Sequence, residues 1–218
     1  MTDGGERTHG GERLGLRERK KRETRAALSL AAIRLCVERG WGDVTIEDIA
    51  EAANVSVRTF RNYFSGKAEA VAARHLDRML AIADELRARP AAEPLWDSIA
   101  IAVQARFEAG DDAGGGAGEG AVADDRWRDG LRLMLAEPAL HGEVAKANAA
   151  AEDALAEAVA ERTGTSTADD VYPKLVAAVV GAGSAVAVTR CMRADPPVPL
   201  VPVLREVFER IAAGLPVP

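Results

Sequence analysis

Apolar residues along the chain recur at the three- and four-residue spacing of amphipathic helices. In the first long segment, 16–39, they form one stripe that includes Leu28, Ala32, Leu35 and Cys36 and ends at Gly40. This spacing places apolar side chains on a single helix face, where they can pack against a neighbour. Six further long helices are expected, over 65–87, 95–109, 124–136, 138–163, 169–192 and 198–213.

Two shorter helices are predicted between the first long helix and the next one. Thr45 can cap the first short helix, and Asp48 stands three residues later, as a capping box requires. Ser56 can cap the second. Asn54 lies in the turn between them and tolerates a left-handed backbone. The pattern therefore predicts an all-α fold of about nine helices.

Segments without periodicity suggest how the chain is divided. Residues 1–15 are polar and glycine-rich and are expected to form a disordered arm. Residues 16–67 are expected to form a small helical domain, and 68–218 a larger one. Within the larger domain, 111–120 resembles a flexible loop more than a phosphate-binding loop, because no strand precedes it and no Lys-Ser or Lys-Thr pair follows.

Composition supports helices, and charge separates the two predicted domains. The chain is 48% hydrophobic but only 4% aromatic, which favours helices packed through small side chains. The formal net charge is -6. Residues 1–67 hold 13 basic and 10 acidic residues, a net charge of +3, whereas 68–218 carry -9. A local positive charge on an acidic protein is typical of a DNA-binding module attached to another domain.

The residues that usually hold metals or perform catalysis are scattered. Cys36 and Cys191 lie in separate predicted helices among apolar neighbours, so two buried thiols in a reducing cytoplasm are expected. The histidines lack the spacing of metal ligands with the cysteines; they are His9, His75 and His141. We therefore expect no metal, no cofactor and no enzymatic activity. The longest apolar run, 175–188, is too short to span a bilayer, which predicts a cytoplasmic protein without a membrane partner.

The segment 45–67, TIEDIAEAANVSVRTFRNYFSGK, combines the two short helices with outward-facing polar residues. In a helix-turn-helix the second helix enters the major groove of DNA with its first residues at the base edges. Arg58 can pair with a guanine through two hydrogen bonds, and Val57 can touch a thymine methyl group. Tyr63, Lys67 and the helix starts at Thr45 and Ser65 are expected at phosphates. The candidate DNA-binding residues are Thr45, Ser56, Val57, Arg58, Thr59, Arg61, Asn62, Tyr63 and Lys67.

This region resembles the DNA-binding domain of the TetR family of regulators. The resemblance covers 26–71 and includes AAIRLCVERGW, TIEDIAEAANVS and TFRNYFSGKAEAV. It implies a helical C-terminal domain that binds an effector and forms a dimer. Cys36 and Arg61 stand where the family commonly has aromatic residues, and Val57 where a polar residue is common. The base-reading surface therefore cannot be copied from a relative.

Apolar residues on the middle helices could line an effector pocket, although core packing explains each of them equally well. The acidic domain would suit a cationic lipophile, whereas some relatives respond to acyl-coenzyme A thioesters. The sequence leaves both classes of small hydrophobic effector open. The candidate ligand-binding residues are Trp96, Phe107, Trp127, Leu131, Met134 and Leu135.

The last two helices are candidates for a homodimer interface. Gly181 and Gly183 would weaken the helix over 169–192 by about 1 kcal/mol each unless another helix approaches closely. A four-helix bundle between two subunits would supply that approach, and burial within one subunit is the alternative. The candidate interface residues are Val179, Gly183, Val186, Leu200, Val203, Leu204, Val207 and Phe208.

Together these features predict a ligand-responsive transcriptional regulator. We expect a repressor that reads a palindromic operator in double-stranded DNA as a homodimer and is released by its effector. A helical adaptor or ligand-binding protein that no longer binds DNA is the alternative. The basic residues from Arg17 to Arg25 are compatible with a solvated helix face or with phosphate contacts.

Overall fold

A computed structural model describes residues 8–108, 120–196 and 198–215, and these residues form nine α-helices and no strand. Side chains are described for the same residues except 8–14, 108 and 120–127. The helices are α1 (Thr8–Arg39), α2 (Ile46–Ala52), α3 (Val57–Arg61), α4 (Lys67–Ala88), α5 (Leu95–Glu108), α6 (Gly120–Ala136), α7 (Pro138–Thr163), α8 (Tyr172–Arg193) and α9 (Leu200–Ala212). The predicted fold class is confirmed.

Several helix starts differ from the sequence-based expectation, including those of α1 and α8. Helix α1 begins at Thr8, within the segment expected to be a disordered arm, and residues 1–7 lie outside the described part of the chain. Helix α8 begins at Tyr172 instead of 169, because the carboxylate of Asp170 accepts a hydrogen bond from the Tyr172 N–H at 2.8 Å. Most of the predicted loop over 111–120 also lies outside the described residues, and its last residue, Gly120, starts α6.

The chain divides between Arg74 and His75 into two compact units, whereas the predicted boundary was at Lys67. In the first unit α1 packs against α2, and α2 packs against α3. Leu28 and Ile49 are fully buried there, together with Phe60. Burying a side chain of this size contributes roughly 1.5 to 3 kcal/mol, so these contacts fix the small helices against α1.

The second unit is built on α7, α8 and α9. Helix α8 packs against both α7 and α9, and α5 packs against α9. Val103, Val159 and Leu204 are fully buried in the shared core, and Phe208 is 1% exposed. Both cysteines are buried thiols outside any disulfide, Cys36 in the first unit and Cys191 in the second.

The structure corrects part of the predicted dimer interface. A Cβ atom at Gly183 would lie 2.8 Å from Ile211 Cδ1 and 3.2 Å from Val207 Cγ1, so the close approach occurs inside one subunit. The period-3.6 pattern could not show which neighbour the small residue faces. Five of the predicted residues are buried in the subunit's own core: Gly183, Leu200, Val203, Leu204 and Phe208.

Among the described helices, α8 is long and apolar enough to cross a bilayer by length and composition alone. The sequence-based expectation of too short a run counted only part of this helix. A third of its most apolar window is buried against the rest of the subunit. The opposite face exposes apolar side chains, with Leu175 at 58% and Val186 at 60% exposure.

Candidate nucleic-acid interface

Helix α2 begins with the predicted capping box. The hydroxyl of Thr45 accepts a hydrogen bond from the Asp48 N–H at 3.1 Å, and the Asp48 carboxylate accepts one from the Thr45 N–H at 2.8 Å. Hydrogen bonds from the side chain and backbone of Thr45, with Arg39 at 3.7 Å, lower the pKa of Asp48. The ionised carboxylate therefore fixes the start of α2 at neutral pH. Thr45 acts as a cap in this arrangement.

Helix α3 starts at the predicted position and is only five residues long. The Ser56 hydroxyl accepts a hydrogen bond from the Thr59 N–H at 3.0 Å and lies 2.9 Å from the Thr59 hydroxyl. The turn before it passes through Asn54, whose φ of 54° confirms the left-handed backbone expected there. The cap and the turn together set the direction in which α3 leaves α2.

Aromatic residues pack on the buried side of α3. Phe60 and Phe64 are buried, and their ring centroids lie 5.7 Å apart in a tilted arrangement. The guanidinium of Arg25 on α1 lies over the Phe64 ring, 4.9 Å from its centroid. Because the buried face of α3 is occupied in this way, its remaining side chains point away from the core of the unit.

The predicted base-reading residues lie together on that outer surface. Arg58, Arg61 and Asn62 are exposed, and three further residues are partly exposed, namely Val57, Thr59 and Tyr63. All six come from α3 and the two residues that follow it. The surface therefore offers two guanidinium groups, an amide, two hydroxyls and an apolar branched side chain, which are the groups that recognise base edges and phosphates.

Lys67, which is predicted to contact phosphate, makes close contacts within the protein. Its ammonium group donates hydrogen bonds to the carbonyl oxygens of Val44, at 2.6 Å, and of Trp41, and it lies 4.2 Å from the centroid of the Trp41 ring. The side chain is partly buried. Lys67 therefore ties the start of α4 to the loop after α1, and two of its three donors are already used inside the protein.

Ser65 also differs from its predicted role. Its N–H and its hydroxyl both donate to the Glu69 carboxylate at 2.7 Å, and α4 starts two residues later, at Lys67. The backbone group expected to bind phosphate is therefore satisfied within the protein. The contact between Trp41 and Lys67 was not predicted. The two residues are 26 positions apart, and no local sequence pattern indicates that they meet.

The chain is similar to known regulatory proteins in both of its units. Residues 30–73 match the bacterial regulatory proteins of the tetR family, and 93–216 match the MftR C-terminal domain. The transcriptional regulator TcmR of Streptomyces glaucescens, described as HTH-type, is 32% identical over 83% of this chain and 79% of its own length. The chain belongs to the tetR family of regulators. It is therefore a DNA-binding transcriptional regulator, and the predicted resemblance is confirmed.

Solved structures of other regulators share the fold. The fatty acid degradation regulator FadR of Bacillus halodurans matches with a TM-score of 0.58 at 18% identity, over 88% of this chain and 96% of that one. Thermus thermophilus FadR, solved with lauroyl-CoA, matches with a TM-score of 0.53 at 21% identity, over 89% and 96%. These likenesses support the arrangement of helices, and the family is one of regulators rather than enzymes.

The predicted ligand-binding residues are distributed over α5 and α6. Trp96 and Phe107 are partly buried against the core of the second unit, while Leu131 and Met134 are partly buried on α6. Leu135 is 60% exposed. The side chain of Trp127 lies outside the described part of the structure. Two surface grooves are lined by other residues, one along 185–193 of α8 and one along 47–57 of α2 and α3.

Basic residues are also present on α4 and α5 in the second unit. The Arg78 guanidinium lies 5.7 Å from the centroid of the Phe107 ring. The Nε atom of Arg106 is buried and has no hydrogen-bond partner among the described residues. The Nε2 atom of His75 lies 2.6 Å from the side-chain oxygen of Asn148 in α7. Burial lowers the pKa of His75, which keeps the ring neutral at neutral pH. Neither arginine was singled out in the sequence, and His75 was considered there only as a metal ligand.

A network of hydrogen bonds surrounds the turn that follows the C-terminal end of α4. Arg162 of α7 donates to the carbonyl oxygens of Pro90 and Glu93 at 2.6 and 2.8 Å, and to the buried Ser98 hydroxyl at 2.8 Å. Hydrogen bonds from Arg89 and Ser98 lower the pKa of Glu93 to about 2. These contacts hold the α4–α5 turn against the end of α7.

Proposed function

We propose that this chain represses transcription by binding a palindromic operator as a homodimer, and that a small amphiphilic effector releases it. The observation that carries the DNA-binding role is the capped α3, whose buried Phe60 leaves Arg58, Arg61 and Asn62 on the outer surface. Arg58 and Asn62 supply base-reading groups, and Tyr63 supplies a phosphate contact. Such a protein acts in the cytoplasm, where its DNA is.

A second copy of the chain is the proposed occupant of the exposed α8 face. Its apolar stripe consists of Leu175, Ala178, Ala182 and Val186, all exposed and spaced three or four residues apart. The two alanines allow the same helix of another subunit to approach closely, while Leu175 and Val186 supply apolar area. Val179 and Val207, from the predicted interface, are partly exposed beside the α8–α9 contact. To enter successive major grooves of DNA, the two α3 helices of such a dimer must lie about 34 Å apart.

The effector is proposed to be an anionic amphiphile of the acyl-coenzyme A type. Arg106 carries a buried donor that lacks an acceptor in the part of the chain that the structure describes, and the Arg78 guanidinium lies over the Phe107 ring. A buried N–H without an acceptor costs free energy that an anionic ligand would recover. The same fold holds lauroyl-CoA in Thermus thermophilus FadR. A cationic lipophile, the other class considered, would meet a like charge at either guanidinium.

Release would act through α4, which begins at Lys67 beside the first unit's loops and ends at Ala88 in the second unit. An effector that binds the released form more tightly by several kcal/mol shifts a mostly bound population to a mostly free one. Arg78 lies on α4 itself, so a ligand that engages this guanidinium acts on the helix directly.

Fluorescence anisotropy with a labelled duplex from upstream of the chain's own gene tests the proposed function. We expect tight binding that weakens steeply with salt, and competition by lauroyl-CoA but not by a lipophilic quaternary ammonium ion. Absence of specific binding to any duplex from that region would contradict the DNA-binding role. Release by the cation alone would contradict the effector class.

An Arg106→Met substitution tests the anionic effector more closely. Lauroyl-CoA should raise the melting temperature of the wild type, because a ligand at 100 times its Kd stabilises by about 2.7 kcal/mol. It should raise that of R106M much less, although the unliganded variant should be at least as stable as the wild type. The matched control is Arg132→Met, which removes an exposed guanidinium of α6. Equal stabilisation of R106M and R132M would contradict the assignment.

Sedimentation velocity tests the proposed dimer. Val186→Glu should yield monomers, since a carboxylate would be buried without a partner at the interface. Val37→Glu, at an apolar position of α1 that is 41% exposed, is the control and should remain dimeric. A wild type that sediments as a monomer would contradict the proposal.

A further inference from the structure

The first part of α1 is an exposed basic helix. Every residue from 15 to 23 is exposed, and α1 becomes buried only at Leu28. Residues 17–25 contain six basic and two acidic side chains. An isolated helix of this length is marginal in water, and no packed apolar face supports it here. Among the described side chains of 15–23 none is buried, so packing against other helices does not explain why this segment is helical.

Three of the basic residues share one face of this helix. Arg17, Lys21 and Arg25 are four residues apart, so they lie about 40° apart around the axis and about 6 Å apart along it. The face is the one that carries Leu28 further along, because seven residues complete about two turns. We call Arg17, Lys21 and Arg25 the basic stripe.

The inner end of the basic stripe lies beside the candidate DNA-binding helix. Arg25 stacks on Phe64 with its guanidinium carbon 4.9 Å from the ring centroid. Phe64 follows Tyr63, the proposed phosphate contact, and packs on Phe60 of α3. The stripe therefore starts at the edge of the base-reading surface and continues along α1 away from it.

We propose that the basic stripe binds the phosphate backbone of the duplex beside the groove that α3 enters. DNA carries one phosphate per 3.4 Å of axis on each strand, so a row of cations about 6 Å apart can follow one strand. Because these contacts do not read bases, they strengthen specific and non-specific binding alike. The proposal rests on the proposed function and extends the interface beyond the helix-turn-helix.

Two double variants with the same change of charge test the stripe. Arg17→Gln/Lys21→Gln removes two stripe residues, while Arg19→Gln/Arg22→Gln removes two exposed residues about 160° and 100° around the axis from Lys21. Arg25 is left in place because it packs on Phe64. All four substituted side chains are exposed, so both variants should keep the helicity and melting temperature of the wild type.

The readout is the slope of log K against log salt for binding to one duplex. The slope should become shallower by about 1.8 per protomer in R17Q/K21Q, since each phosphate contact contributes about 0.9. In R19Q/R22Q it should change by less than half of that. Equal changes in the two variants would mean that net charge alone acts, and would overturn the proposal, as would an unchanged slope in R17Q/K21Q.

Two further results separate the possible failures. If the wild type binds DNA but R17Q/K21Q behaves like its control, the stripe proposal fails and the proposed function stands. If the wild type binds no duplex, both fail. Pelleting with phosphatidylglycerol vesicles tests whether the stripe binds a membrane instead. If R17Q/K21Q abolishes vesicle binding and leaves the salt slope for DNA binding unchanged, the stripe binds a membrane surface and the proposal is overturned.

Discussion

The ammonium group of Lys67 lies 2.6 Å from the carbonyl oxygen of Val44 and stacks on the ring of Trp41. This contact joins the first residue of α4 to the loop that precedes α2. A helix that transmits an effector signal must be attached to the part that it moves. Lys67 provides such an attachment within the first unit.

Lys67→Met should therefore weaken folding and DNA binding together. The variant keeps the aliphatic stem but loses two charge-assisted hydrogen bonds, so we expect the free energy of unfolding to fall by about 2 kcal/mol. Urea denaturation followed by circular dichroism gives that value. A variant with unchanged stability and a salt slope for DNA binding that is shallower by about 0.9 would show that Lys67 binds phosphate after all.

Glu93→Gln should destabilise the protein in a pH-dependent way. The folded-state pKa of Glu93 is lowered from 4.5 to about 2 by Arg89 and Ser98, so its ionised form contributes stability above about pH 4.5. This contribution is lost as the pH falls towards 2. The difference in melting temperature between wild type and E93Q should be present at pH 7 and disappear near pH 2. Glu209→Gln, at an exposed position of α9, is the control and should show a smaller difference at pH 7.

Gly183 and Gly181 should respond in opposite directions to alanine. At Gly183 the new Cβ would lie 2.8 Å from Ile211 Cδ1, which can rotate away, and 3.2 Å from Cγ1 of the stiffer, β-branched Val207, so overpacking of about 1 to 3 kcal/mol should exceed the gain in helix propensity. At Gly181 nothing lies within 4 Å, and alanine should stabilise the helix by up to about 1 kcal/mol. Denaturant midpoints check both values. A stabilising Gly183→Ala would contradict the close α8–α9 contact.

Local chemistry allowed much of the fold to be predicted. The Thr45 and Ser56 caps and the left-handed Asn54 depend on residues within a few positions, and all three are present. Contacts between distant residues could not be predicted. The contact between Lys67 and Trp41 was not predicted, because an exposed lysine and one that contacts a distant residue look alike in sequence.

The two apolar sides of α8 caused the error in the predicted interface. In α8, Gly183 faces α9 within the subunit while Val186 is exposed, and periodicity alone could not separate an internal neighbour from a partner subunit. The start of α1 was missed for the opposite reason, because a helix without an apolar stripe leaves no periodic signal. The resemblance to the tetR family was recognisable because its motif is local and lies in a short, contiguous segment.

The most direct test of the account is Arg58→Ala, measured against operator and non-operator duplexes at one salt concentration. If α3 reads bases, R58A should lose about 1 to 3 kcal/mol of operator affinity, roughly 5- to 150-fold, while its non-specific affinity changes far less. Equal losses on both duplexes, or no loss on the operator, would contradict the claim that the exposed face of α3 recognises DNA sequence.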